Sequence, residues 1–162
     1  MMKLPWTCWV PGQVLARAEK HVTLHSKDGK SFVGRADCKP QADYKSYLRW
    51  SFAQVAPDEL LDGPLSLQII VVRQKPKSAR KSDEWATTKP DSSNYQKLVE
   101  DCLSGIVIVD DARLVDVQTS KLYGTEPGLG LWIQRPSGLL CGACLARVRS
   151  IQHRQTPEEG ER

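Results

Sequence analysis

The chain has 162 residues, 40% apolar and 26% charged, with five Trp, which is the composition of one globular domain and not of a disordered chain. No apolar run approaches the roughly 20 residues that a membrane span needs, and Met1-Met2-Lys3-Leu4-Pro5-Trp6 lacks the apolar stretch of an export signal; a cytoplasmic protein with no membrane partner is expected. The net charge of +4 is modest, but it is unevenly spread. Arg73, Lys75, Lys77, Arg80, Lys81 and Lys89 come first, and Asp91, Glu100, Asp101, Asp110 and Asp111 follow. A basic arm beside carboxylates is what a metal-dependent enzyme acting on a polyanion would need.

Residues 6–15 read as a strand broken by the turn signal Pro11-Gly12. Asp28-Gly29 suits a hairpin whose returning strand covers residues 31–34. Pro40 opens a helix to about residue 56, on which Tyr44, Tyr47, Leu48, Ser51, Phe52 and Val55 recur at spacings of three and four and predict one buried face. Residues 65–72 form a strand, with Ser66 and Gln68 alternating with apolar residues before the continuous Ile69-Ile70-Val71-Val72. Residues 74–90 have no apolar period and read as a long exposed loop, with Trp85 among polar neighbours.

Ser92 or Ser93 is the expected N-cap of a second helix reaching Ser104, with Tyr95, Leu98, Val99, Cys102 and Leu103 as its buried stripe and Gly105 as its stop. Asn94, Lys97 and Asp101 fall together beside that stripe. Residues 106–109 read as a short strand ending at Asp110-Asp111, residues 113–122 as a longer one, and residues 128–134 as its partner across a Gly/Pro turn. Residues 139–151 suggest a last strand before a polar tail. The expected fold is α+β: a mixed, mostly antiparallel sheet packed by two main helices, in a domain of residues 1–135 with an extension of residues 136–162. The five cysteines are expected as reduced thiols. Cys141 and Cys144 have the spacing of half a zinc site, but no second pair closes it, and small residues at a strand end account for them equally.

The chemistry concentrates around the second helix. Asp91 lies just before it, and Asp111 is expected to end the strand that follows, so a strand–helix–strand unit can bring both to one sheet edge. Hard cations such as Mg²⁺ bind carboxylates and keep several waters; Asp91 and Asp111, with Asp110 as a further ligand, would hold one against a phosphate oxygen. The metal would polarise the phosphate and activate a water, and Lys97 would neutralise charge developing on the leaving oxygen. Plainer readings stand beside these: a turn carboxylate for Asp91, a solvated turn for Asp110-Asp111, and an i,i+4 pair with Asp101 for Lys97. Their co-occurrence around one helix favours the chemical reading.

The stretch Lys89-Pro90-Asp91-Ser92-Ser93-Asn94-Tyr95-Gln96-Lys97, then Asp101-Cys102-Leu103-Ser104-Gly105, Asp110-Asp111-Ala112-Arg113-Leu114-Val115 and Lys121, resembles the motif series of the RusA family of Holliday-junction resolvases, common in phage and prophage. The resemblance extends over about residues 5–135 and is dense between Lys89 and Lys121. It implies a RusA-like fold and a Mg²⁺-dependent endonuclease, with Mn²⁺ as a possible substitute. Such an enzyme acts as a homodimer and makes paired nicks across a four-way DNA junction. It implies Asp91, position 93 and Asp111 as the acidic site, with Lys97 assisting. Position 93 departs from the family pattern: it is Ser93, a far weaker Mg²⁺ ligand than the family's Asp. Asp110 and Asp101 are the available substitutes, Ser93 also serves as a helix cap, and Asn94 supports the site. The alternative is a non-catalytic junction-binding protein that lost its activity at Ser93. Lys75, Lys77, Arg80, Lys81, Lys89 and Lys121 are candidate phosphate contacts, and Trp85 a platform for an unpaired base.

Overall fold

The computed structural model describes residues 4–17, 21–27, 30–36, 39–80 and 82–136, the segment 21–36 by its backbone alone. The elements are β1 (Trp6–Pro11), β2 (His21–Lys27), β3 (Lys30–Ala36), α1 (Lys39–Gln54), β4 (Leu65–Gln74), α2 (Ser92–Leu103), a 3-10 turn (Asp111–Arg113), β5 (Leu114–Gly124) and β6 (Gly128–Gln134). One four-stranded sheet runs in the order β1-β6-β4-β5, and β2 and β3 form a separate antiparallel hairpin. In the main sheet β4 and β5 are parallel, while β6 pairs antiparallel with both β1 and β4. The fold is the expected α+β class.

Strand β4 organises the core because it is apolar at every second position and beyond. Leu65, Leu67, Ile69 and Val71 point inward and are buried, joined on the same sheet face by Leu129, Leu131 and Ile133 of β6 and by Trp6 and Val10 of β1. Helix α1 covers this face through Tyr44, Leu48 and Phe52, and α2 through Tyr95, Leu98, Val99, Cys102 and Leu103. Trp6 ties sheet to helix: its ring meets Phe52 edge-on, and its indole N–H donates to the Val55 carbonyl at 2.7 Å. The other sheet face has no described helix over it and exposes Trp9 and Trp132. Trp9 lies across β6 because Gly128 has no side chain there; a Cβ at that position would overlap the indole.

Four expectations need correction. First, residues 128–134 do not pair with residues 113–122; β6 lies on the far side of β4 from β5. The three-residue link 125–127 steps past the end of β4 instead of folding back. This puts the most apolar strand inside the sheet and leaves β5, with Asp116, Gln118 and Lys121, at the edge.

Second, residues 106–109 are not a strand. Gly105, at φ +75°, reverses the chain, and the Val107 and Ile108 amides donate to the Leu103 carbonyl. Val107 and Ile108 are buried beside Leu61, whose amide donates to Val107 and whose carbonyl accepts from Val109. Third, the N-cap of α2 is Asp91, extended and without a side-chain cap bond, and not Ser92 or Ser93. Fourth, Tyr47 and Val55 are exposed and Gln41 is buried in the α1 stripe. Tyr47 points roughly 100° away from Leu48 and roughly 140° away from Phe52, and Val55 lies past the helix end.

The loop after β4 is less free than its composition predicts. The Ala86 amide donates to the Lys121 carbonyl and the Tyr123 amide to the Glu84 carbonyl, so residues 84–86 pair with the outer edge of β5. The Asp28-Gly29 turn, residues 139–151, Cys141 and Cys144 lie outside the described residues, although β2 and β3 flank the expected turn.

Candidate functional site

Parallel strands need a long crossover, and the chain between β4 and β5 carries the basic loop, Asp91, α2 and the Asp110-Asp111 pair. Residues 88–90, leading into Asp91, are held from two directions. Arg73, near the end of β4, donates through Nη1 to the Thr88 carbonyl (3.2 Å), the Thr88 hydroxyl (3.1 Å) and the Lys89 carbonyl (3.0 Å). Lys121 on β5 donates through Nζ to the Thr88 carbonyl (3.0 Å) and the Pro90 carbonyl (2.8 Å). The Thr88 and Tyr123 hydroxyls lie 3.4 Å apart, and the Lys89–Pro90 peptide is cis. Behind this segment, Arg73, Pro90 and Tyr95 line a cavity of about 270 Å³ with Val14 and Leu15. Burial pushes the Tyr95 phenol up, and the Arg73 charge beside it acts in the opposite direction.

Asp91 is exposed at the start of α2, and its side chain makes no cap bond. Ser93 and Lys97 are exposed on α2, and Lys97 makes no ion pair among the described residues. Asp111 is exposed as the first residue of the 3-10 turn, which packs against α2. Asp91 is thus tied beside Lys121, well along β5, while Asp111 stands just before its first residue, Leu114; α2 spans the interval. No three His, Cys, Asp or Glu side chains converge on a metal-sized site among the described residues. Since residues 106–109 are not a strand, no strand–helix–strand unit brings Asp111 to Asp91; α2 lies between the two.

The neighbouring carboxylates are committed elsewhere. Asp110 caps the 3-10 turn, its Oδ1 accepting from the Ala112 amide at 2.9 Å. Asp101 faces α1, with Oδ2 3.5 Å from Arg17 and 3.6 Å from Lys45, while its carbonyl accepts from Arg49. It does not pair with Lys97. Asn94 serves this same contact through its backbone, accepting from the Arg17 amide at 3.1 Å. Arg113 pairs with Asp62 at 2.8 Å, which ties the 3-10 turn to the loop before β4.

Of the candidate phosphate contacts, Lys77, Arg80 and Lys89 are exposed, Lys75 is half-buried, and Lys81 lies outside the described residues. The Arg80 amide is anchored by the Asp83 carboxylate at 2.9 Å. Trp85 is 62% exposed although its backbone is fixed to β5, so its ring projects from a rigid edge. The sequence counts Arg73 only as one charge of a basic run, and nothing in its spacing marks it as the anchor of residues 88 and 89. Lys121 did carry a signal: it falls on the same strand face as Val117, four residues earlier, which points it toward α2 and not outward.

An α+β domain with two uncommitted carboxylates around one helix and a basic loop beside them has the parts of a nucleic-acid-processing enzyme. The model of the RusA endodeoxyribonuclease family matches residues 15–134, so the chain belongs to that family. It is also 36% identical over 104 residues to the uncharacterized protein YqaN of Bacillus subtilis strain 168, an alignment covering 58% of this chain and 73% of that protein. No helix among the described residues is long and apolar enough to cross a membrane.

Proposed function

We propose that this protein is a divalent-metal-dependent, structure-selective endonuclease that makes paired nicks in four-way DNA junctions, acting as a homodimer. The observation that carries this reading is membership of an endodeoxyribonuclease family over a span that includes Lys89-Pro90-Asp91, Lys97 and Asp110-Asp111. Asp91 and Asp111 are the carboxylates of the reaction and Lys97 its cation. All three are exposed and free of ion pairs among the described residues, which suits groups that must meet metal or phosphate.

The donor set fits a hard cation. It is all carboxylate oxygen, with too few ligands for a closed cage, and Mg²⁺ is commonly held by one or two carboxylates with water and substrate phosphate completing its shell. Within one protomer Asp91 and Asp111 stand at opposite ends of α2, so each would hold the ion singly, Mn²⁺ being an alternative. When bound, the ion would polarise the phosphate and lower the pKa of a water. Lys97 offsets negative charge on the phosphate and leaving oxygen. Lys75, Lys77, Arg80, Lys81 and Lys89 meet the backbone phosphates, and Trp85 stacks on a base unpaired at the branch point. Two symmetric copies supply the two nicks.

Ser93 supports a second reading, that of a junction-binding protein without catalysis, because it removes a carboxylate from the family pattern. Incubating a synthetic four-way junction with protein and Mg²⁺ separates the two. Paired nicks that disappear with chelator support the endonuclease; binding without nicking supports the second reading.

A further inference from the structure

We propose that Arg73 and Lys121 are positioning residues for Asp91, acting as a two-sided clamp on the peptide carbonyls of residues 88–90 and not as DNA contacts; this rests on the endonuclease reading above. Lys121 is half-buried, and two of the three donors of its ammonium meet carbonyls at 3.0 and 2.8 Å. Arg73 directs Nη1 at three acceptors on Thr88 and Lys89. The two side chains come from neighbouring parallel strands and share the Thr88 carbonyl as an acceptor.

Charge-assisted bonds to backbone carbonyls are stronger than neutral ones, and here they occupy the peptide groups immediately before a carboxylate that has no bond of its own to fix it. The clamp therefore supplies the rigidity that the Asp91 side chain lacks. Both strands belong to the sheet that packs the core, so the loop inherits the stiffness of the core and not that of the exposed segment before it. A misplacement of about 1 Å at a reacting group can cost about 100-fold in rate.

The test uses Lys121→Met and Arg73→Gln, with Lys121→Arg as the conservative variant, in the full-length protein. Junction cleavage should show kcat reduced about 10- to 100-fold with KM unchanged, and Lys121→Arg should recover much of the loss. Calorimetric Mg²⁺ binding, read without DNA, should weaken about tenfold in Lys121→Met. Combining Lys121→Met with Arg73→Gln should cost less than the sum of the single effects, because both act on one segment. The salt dependence of junction binding should not change. A drop of about 0.9 in the slope of log K against log salt for Lys121→Met would identify a phosphate contact instead and overturn the clamp. So would a parental kcat and Mg²⁺ affinity in both variants. If the parent itself does not nick junctions while Lys121→Met still weakens Mg²⁺ binding, the endonuclease reading falls and the clamp stands. Should Lys121→Met fail to fold, Arg73→Gln carries the same comparisons.

Discussion

The Lys121 ammonium lies 2.8 Å from the carbonyl oxygen of Pro90, the residue that precedes Asp91. This bond joins an edge strand to the start of α2. It makes the position of an exposed carboxylate depend on a parallel strand pair whose other side is core. The motif series is contiguous in sequence around one helix, but its geometry is set by β4 and β5, the strands that the helix connects.

Asp91→Asn and Asp111→Asn should each abolish Mg²⁺-dependent junction cleavage and leave junction binding and folding intact. Each replacement removes a carboxylate charge proposed to meet the metal while keeping the size of the side chain, and neither residue is buried. Gel-based nicking and binding assays on the same preparations check this. A variant that nicks at the parental rate removes its residue from the site.

Replacing Lys77, Arg80 and Lys81 together by Gln should weaken junction binding and lower the slope of log K against log salt by roughly two to three, since each phosphate contact contributes about 0.9. Lys77 and Arg80 are exposed and make no ion pair among the described residues, so their replacement costs the fold little. Binding isotherms at several salt concentrations give the slope. An unchanged slope would mean that the loop faces away from DNA.

The elements easiest to recognise in the sequence are those whose own burial sets their pattern. The alternation Leu65, Leu67, Ile69, Val71 and the stripe Tyr95, Leu98, Val99, Cys102, Leu103 are local consequences of facing one core, and both appear where expected. Strand order is different. A short Gly/Pro link between two strand-like segments favours a hairpin, and only the competition for the central place, which β4 occupies between β6 and β5, decides otherwise. Residues 106–109 failed for a related reason, because four apolar residues in a row describe a buried turn as well as a strand. At the candidate site, the motif offers the candidate residues, whereas the bonds of Arg73 and Lys121 to residues 88–90 were not legible. Hydrogen bonds to backbone carbonyls leave no trace in the identity of the acceptor residue.

Leu48→Ala should destabilise the protein by about 2–5 kcal/mol, because Leu48 is fully buried between α1 and the sheet and its removal leaves a cavity. Tyr47→Ala, one residue earlier, should cost much less. The residue is 39% exposed, and its hydroxyl makes only a long bond, 3.3 Å, to the Pro11 carbonyl. Urea denaturation of the two variants compares them directly. Equal losses would contradict the assignment of the buried face of α1.

Ser93→Asp tests how far the acidic site depends on a missing ligand. Asp at this position adds the carboxylate of the family pattern on the first turn of α2, where negative charge is also favoured by the helix dipole. The two nearby carboxylates that might have replaced it are engaged: Asp110 Oδ1 accepts from the Ala112 amide, and Asp101 is held between Arg17 and Lys45. Those contacts hold each carboxylate by one oxygen in a direction set by its own partners. The variant should therefore reach half-maximal cleavage at a lower Mg²⁺ concentration than the parent, or gain cleavage from a silent parent. Its stability should be unchanged or slightly higher, because Ser93 is exposed and makes no capping bond that Asp would lose. Titrating cleavage against Mg²⁺ for both proteins measures the shift. A higher Mg²⁺ requirement in the variant would mean that the native site already has its full charge, and that an added carboxylate only repels those present.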